Sequence, residues 1–264
     1  MSSGVTFASV ARSEWIKFRT VRSTILGVAI FAVLTIGLGI LITAEIHAHW
    51  ASMNPLDKLT FDPVSTSLGG TVLAQFAVGV IGSLFITTEY TSSSLRSTLA
   101  AVPQRRRLVA AKLAVLAGSM FVVSEIVCFA AFLIGQSIYR GMIPASTDTL
   151  SNSAVLRSVI LAGVYLTLLA MMGFAIGLIL RQSPATISTF TGLVLLIPLI
   201  IFFLPASLQD TLTKFEPSAL GHSMMSVTPR DRLFSAWPST LLLVAYVAVV
   251  LFVGATMFQR RDAT

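Results

Sequence analysis

The sequence predicts an all-α integral membrane protein: a six-transmembrane-helix bundle with an N-terminal interfacial helix, a short amphipathic helix between the second and third spans, and an extracellular or re-entrant segment before the last span. Three observations predict it. Of 264 residues, 55% are hydrophobic and 11% charged, against about 25% charged in an ordinary soluble domain, and the mean hydropathy is +0.87. Six apolar stretches, at 24–44, 68–88, 110–136, 155–180, 185–204 and 239–258, approach or exceed the roughly 20 residues that a helix needs to cross the hydrocarbon. No stretch alternates at a period of two, which argues against a membrane β-barrel. The chain reads as one transmembrane domain over 1–264.

Residues 1–23 precede the first span. Phe7, Ala11, Trp15 and Phe18 recur at helical spacing, and Arg12, Lys17 and Arg19 are placed to meet water and lipid phosphates. The pattern is that of an interfacial helix on the cytoplasmic leaflet, acting as a simple anchor or as a lever on the first span. That span is too long for a signal-peptide core and lacks a small-residue cleavage site, so it is expected to remain as an anchor. His47 and His49 follow it, near Trp50. With His222 the only other histidine, they lack a third metal ligand, and polarity at the membrane interface accounts for them.

Gly79 and Gly82 lie in the second span, and Gly173 and Gly177 form a GxxxG pair in the fourth. Small residues at this spacing let helices approach closely, within the bundle or at a dimer seam. Between the second and third spans runs the basic stretch EYTSSSLRSTLAAVPQRRRLVAAK, Glu89 to Lys112. Leu95, Leu99 and Val102 fall at i, i+4 and i+7, and Pro103 ends that helix. Arg105, Arg106 and Arg107 then sit at the headgroup boundary. The stretch 89–109 is built to dock in a groove on another protein, or it is a solvated loop that fixes topology.

Glu125 lies near the middle of the third span, where an ionised group costs about 2.5–3.5 kcal/mol on insertion scales. Together with Ser124 it lines a polar path for a cationic or amphiphilic cargo, or it ties two helices together; otherwise it stays protonated and bonds to Ser124 or a carbonyl. Cys128, the only cysteine, forms no disulfide within the chain. Ser183 and Pro184 are suited to start the fifth helix. That helix carries Thr186, Ser188, Thr189 and Thr191, as path lining or as hydroxyls bonded to their own backbone. Pro198 should bend it or free a carbonyl. In the segment 205–238, Leu208, Leu212 and Phe215 continue a spacing begun at Leu204. This short amphipathic helix stops near Glu216 and Pro217, and lies on the outer leaflet or dips back between the spans.

The net charge of +7 is topological. With a cytoplasmic N-terminus, twelve of the 18 Lys and Arg fall in inside segments and six outside, which fits the positive-inside rule and places both termini in the cytoplasm. The partners are then membrane lipids, and not nucleic acid. No P-loop, H-E-x-x-H or G-x-S-x-G motif occurs, so the chain offers no catalytic residues and no metal or nucleotide site of its own.

The stretches RSEWIKFRTVRST and EYTSSSLRSTLAAVPQRRRLVAAK, with six spans in a chain of this length, resemble the type-2 ATP-binding-cassette (ABC) transporter permeases, most of all the small single-domain six-helix kind of actinobacteria. Their pattern runs roughly E-Y-x-x-G-T-[IL]-R-x-T-L-x-x-x-P-x-R-x-x-x-x-x-K. Glu89, Tyr90, Leu95, Arg96, Thr98, Leu99, Pro103, Arg105 and Lys112 match it, while Ser93 and Ser94 replace the usual Gly-Thr. The resemblance implies an exporter permease in the cell membrane, paired as a homodimer or heterodimer, each half bound to a separate cytoplasmic ATPase subunit that holds ATP and Mg. The segment at 95–102 would be the coupling helix on that ATPase, moved together with the N-terminal helix when the ATPase closes. The second and fifth spans would line the path, with the outer segment as a lid. Lipids, antibiotics, peptides and other amphiphiles are the cargo classes implied. The residues alone also allow a non-transporting scaffold or sensor that recruits a cytoplasmic protein through 89–109.

Overall fold

The computed structural model describes residues 6–59, 61–91, 104–140, 149–228 and 233–260, and among them all regular structure is helical. Helix α1, Phe7–Thr20, starts where the Thr6 hydroxyl accepts from the Ser9 amide and stops at Val21, whose backbone is extended. The chain turns there into α2, Arg22–His49. At 1.5 Å per residue α2 is about 42 Å long, more than the hydrocarbon alone requires, and His47 and His49 lie in its last turn. There His47 Nδ1 lies 2.9 Å from the Ile138 carbonyl. Two short helices return the chain: α3, Pro55–Leu59, and α4, Pro63–Ser67, the latter capped by Asp62 Oδ1 on the Val64 and Ser65 amides.

The remaining spans are α5, Thr71–Thr91; α6, Arg105–Tyr139; α7, Ser153–Leu180; the pair α8, Ser183–Thr191, and α9, Ile197–Phe202; and α12, Ala236–Arg260. Between α9 and α12 come α10, Ala206–Leu212, and α11, Pro217–Met225. Among the described residues six helices are long and apolar enough to cross a membrane. They match the six apolar stretches, extended by a few residues wherever polar ends continue the helix.

The fourth span is the axis of the bundle. In α7, 83% of the apolar stretch is buried, against 17% in α2 and 22% in α12. Glycine makes its contact with α5 possible. A Cβ at Gly173 would run into the Gly79 carbonyl, one at Gly82 into Ala170, and one at Gly177 would come 2.5 Å from Ile86 Cγ2. The GxxxG pair thus packs the second and fourth spans of the same chain.

The fifth span is interrupted by a π turn at Gly192–Leu196, just before Pro198. Proline has no amide hydrogen to give the carbonyl four residues back, that of Val194; Ser218 Oγ reaches this carbonyl at 3.5 Å. The donor comes from α11, which is buried over most of its length. Gly221 lets α11 lie against the Tyr165 ring, where a Cβ would collide, and Thr71 Oγ1 lies 3.5 Å from Met225 Sδ. In the segment before the last span, α11 is packed against the other helices, while α10 has no buried residue and exposes Leu208 and Leu212. Ser183 starts the fifth helix without capping it; its hydroxyl donates instead to Thr87 Oγ1 at 2.8 Å.

Candidate functional site: a charged joint at the base of the second and third spans

Helix α1 turns Val10, Glu14 and Phe18 inward, residues spaced by four along one face. Phe18 packs on Phe85 of α5 at 5.9 Å between ring centres, and Phe85 on Phe174 of α7 at 6.4 Å. Phe7 and Trp15 remain 46% exposed, and Arg19 is exposed. Trp15 stacks on Phe18 at 6.2 Å. Val10 and Glu14 thus face inward while Phe7 and Trp15 of the apolar row stay exposed, and Phe18 belongs to both sets.

Glu14 is the start of a four-residue network. Lys112, near the start of α6 and 1% exposed, donates to Glu14 Oε2 and to Glu89 Oε1, each at 2.6 Å. Lys17 donates to Glu14 Oε1 at 2.9 Å and to Glu89 Oε1 at 2.7 Å. The Lys112 ammonium also lies 5.4 Å from the centre of the Phe85 ring, a favourable approach for a cation. Two carboxylates and two ammonium groups balance, and this makes their burial tolerable, since an ion out of water costs several kcal/mol unless it is paired. Lys17 therefore does not reach for lipid phosphate, and Lys112 is not a topological surface charge. Burial works against the charge on Lys17, but its bonds to Glu89 and Glu14 outweigh that and raise its pKa above the ordinary lysine value. Its contribution is full below the ordinary value and is lost as pH rises through the raised one. Beside the network opens a cleft of about 260 Å³, lined by Glu14, Lys17, Thr24, Phe85, Thr88 and Glu89.

Glu89 and Lys112 are the first and last residues of the motif stretch. Their contact closes the base of the loop from the second span to the third. Tyr90, next to Glu89, lies under the Arg181 guanidinium at 5.6 Å. Arg181 ends α7 in the left-handed region, at φ 59°. On the other side, Arg105 donates to the Phe258 carbonyl at 3.3 Å and Arg106 to the Gln259 side chain at 2.7 Å. These arginines thus meet the end of α12, where free carbonyls and the helix dipole favour a cation. Leu95, Arg96, Leu99, Val102 and Pro103 lie outside the described residues; Glu89 and Arg105 frame them.

The residues proposed for a path are not brought together. Glu125 packs its carboxylate against Gly163 of α7, where a Cβ would come 2.5 Å from Oε1. Among the described residues neither its oxygens nor Ser124 Oγ has a hydrogen-bond partner, so no Ser124–Glu125 bond forms. Thr186 is buried and bonds to its own helix at Gln182 O, 2.7 Å away. Thr189 lines a separate groove between α7, α8 and α12.

Glu14 was missed by sequence reasoning. Its signal was its place at i+4 between Val10 and Phe18 in an otherwise basic helix.

Six spans around a glycine-packed axis, with a charged joint between an amphipathic helix and the two spans that flank the basic stretch, define a multi-pass membrane protein. The profile of the ABC-2 family transporter proteins matches residues 11–198, more than two thirds of the chain and all four members of the joint. The chain belongs to this family: it is a membrane permease of an ABC transporter, a transport component that associates with an ABC ATPase subunit. No curated protein sequence matches it.

Proposed function

We propose that the chain is the permease half of an ABC exporter and that the joint transmits ATPase movement to the spans. The observation that carries this is the Lys112–Glu89–Glu14–Lys17 network. It links the N-terminal helix and both ends of the basic loop in a single buried contact. Movement imposed on the loop therefore reaches α1, α5 and α6 together. Both termini are cytoplasmic, as the distribution of Lys and Arg favours, and the segment 89–109 sits on the ATPase, which supplies ATP and Mg chemistry. Two permease copies complete the assembly, as a homodimer or with a related chain. The cargo is an amphiphile such as a lipid, antibiotic or peptide. Family membership favours this over a scaffold that only recruits a cytoplasmic protein.

The test is purification of the tagged chain from its native membrane, with identification of its partner and an ATPase assay. A stoichiometric ATPase should copurify, and Leu95→Asp or Leu99→Asp should uncouple hydrolysis from transport without removing the chain from the membrane. Transport that survives both substitutions would overturn the coupling assignment.

A further inference from the structure

At the end of the bundle remote from the joint, Glu216 is a buried carboxylate, 7% exposed, that coupling does not use. It stands just before α11 and lines two cavities at once. One, of about 480 Å³, lies between α5, α9 and α11, and adds Gln75, Ser218 and His222. Gln75 is 6% exposed and accepts from Tyr165 Oη at 2.6 Å. The other, of about 630 Å³, is a groove walled by Met172, Leu193, Ile197, Tyr246 and Val249. It follows the fifth span from Ile201 down to Thr189, about 18 Å at the helical rise. Except for Thr189, Glu216 and the Tyr246 hydroxyl, which donates to the Phe215 carbonyl at 3.2 Å, its walls are apolar.

Among the described residues no ion pair reaches Glu216. Burial raises its pKa, and contacts from Ser218 offset this in part. A desolvated carboxylate at the head of an apolar groove is complementary to one kind of molecule. We propose that Glu216 binds the ammonium head of a cationic amphiphile whose alkyl chain lies in the groove between the fourth, fifth and sixth spans. Charge complementarity selects this occupant: a phosphate or sulfate head would be repelled by the carboxylate, and an uncharged one would leave its charge unbalanced beyond the hydrogen bonds from Ser218. That the bound amphiphile is also a cargo rests on the exporter reading; the binding itself does not.

The experiment uses the full chain in uncharged maltoside micelles and three fluorescent probes of equal chain length, bearing a trimethylammonium, a hydroxyl or a sulfonate head. Protein-free micelles give the baseline. The trimethylammonium probe should bind saturably, at least about tenfold tighter than the sulfonate probe. Glu216→Gln should erase that preference, a loss of about tenfold for the cation with little change for the hydroxyl probe. Filling the groove by Ile197→Trp should weaken all probes that bind. Equal affinity of the wild-type chain for cation and sulfonate overturns the proposal, and this outcome needs no variant to fold. So does a cation preference that survives Glu216→Gln. Assaying the copurified ATPase in the same preparations separates the two readings: a Glu216-dependent site without an ATPase leaves the site standing and removes the exporter, and the reverse removes the site alone.

Discussion

At the scale of single residues, Lys112 is the most exacting position in the chain. It is fully buried, and two carboxylates close on it from helices far apart in sequence. Lys112→Met should cost about 3–5 kcal/mol, the usual penalty for removing one partner of a buried pair, read as a fall in the unfolding midpoint. Adding Glu14→Gln leaves Lys17 and Glu89 as a balanced pair. The double variant should therefore lose less than the sum of the singles, with a coupling of about 1–3 kcal/mol; strict additivity would mean that the four charges do not act as a unit. Half of this network was legible. Glu89 and Lys112 stand out as motif positions, but their pairing does not, because nothing in sequence spacing brings residues 23 apart together across a loop. Glu14 was hidden for a related reason. Beside Arg12, Lys17 and Arg19 a lone acid reads as part of a solvated face, and its burial depends on α5 and α6 covering it.

At the scale of elements, the spans were legible nearly to their ends, because about twenty apolar residues in lipid have only the helix as a way to satisfy their backbone. What sequence did not reveal is which glycines face which helix. Gly163 is the clearest case. It makes room for Glu125, and the contact fixes α6 against α7 near mid-span. Gly163→Ala should destabilise the chain by about 1–3 kcal/mol through overpacking, and Glu125→Ala in the same chain should recover most of the loss. If Gly163→Ala is harmless, the carboxylate has room to move and the contact does not lock the helices. The π turn before Pro198 was equally illegible. Proline announces a freed carbonyl, but the donor that meets Val194, Ser218, lies on an element whose burial sequence left open.

At the scale of the whole molecule, α1, the end of α5, the start of α6 and the end of α12 meet at one end of the bundle, while α10 and α11 occupy the other. Topology can be tested with single cysteines in a Cys128→Ala chain. Ser13→Cys should be shielded from a membrane-impermeant thiol reagent in intact cells, and Ser52→Cys should react. The opposite pattern would invert the protein and put the basic loop out of reach of any cytoplasmic ATPase.

The enclosure of Lys112 also bears on ionic strength. Raising salt from about 0.15 M to 1 M shortens the screening length from about 8 Å to 3 Å, and attractions between exposed charges fade accordingly. Mobile ions have no access to an ammonium that is 1% exposed and held at 2.6 Å by both carboxylates. The Lys112 half of the joint should therefore hold in brine as in dilute buffer, whereas the two pairs made by Lys17, whose side chain is 36% exposed, should weaken as salt rises.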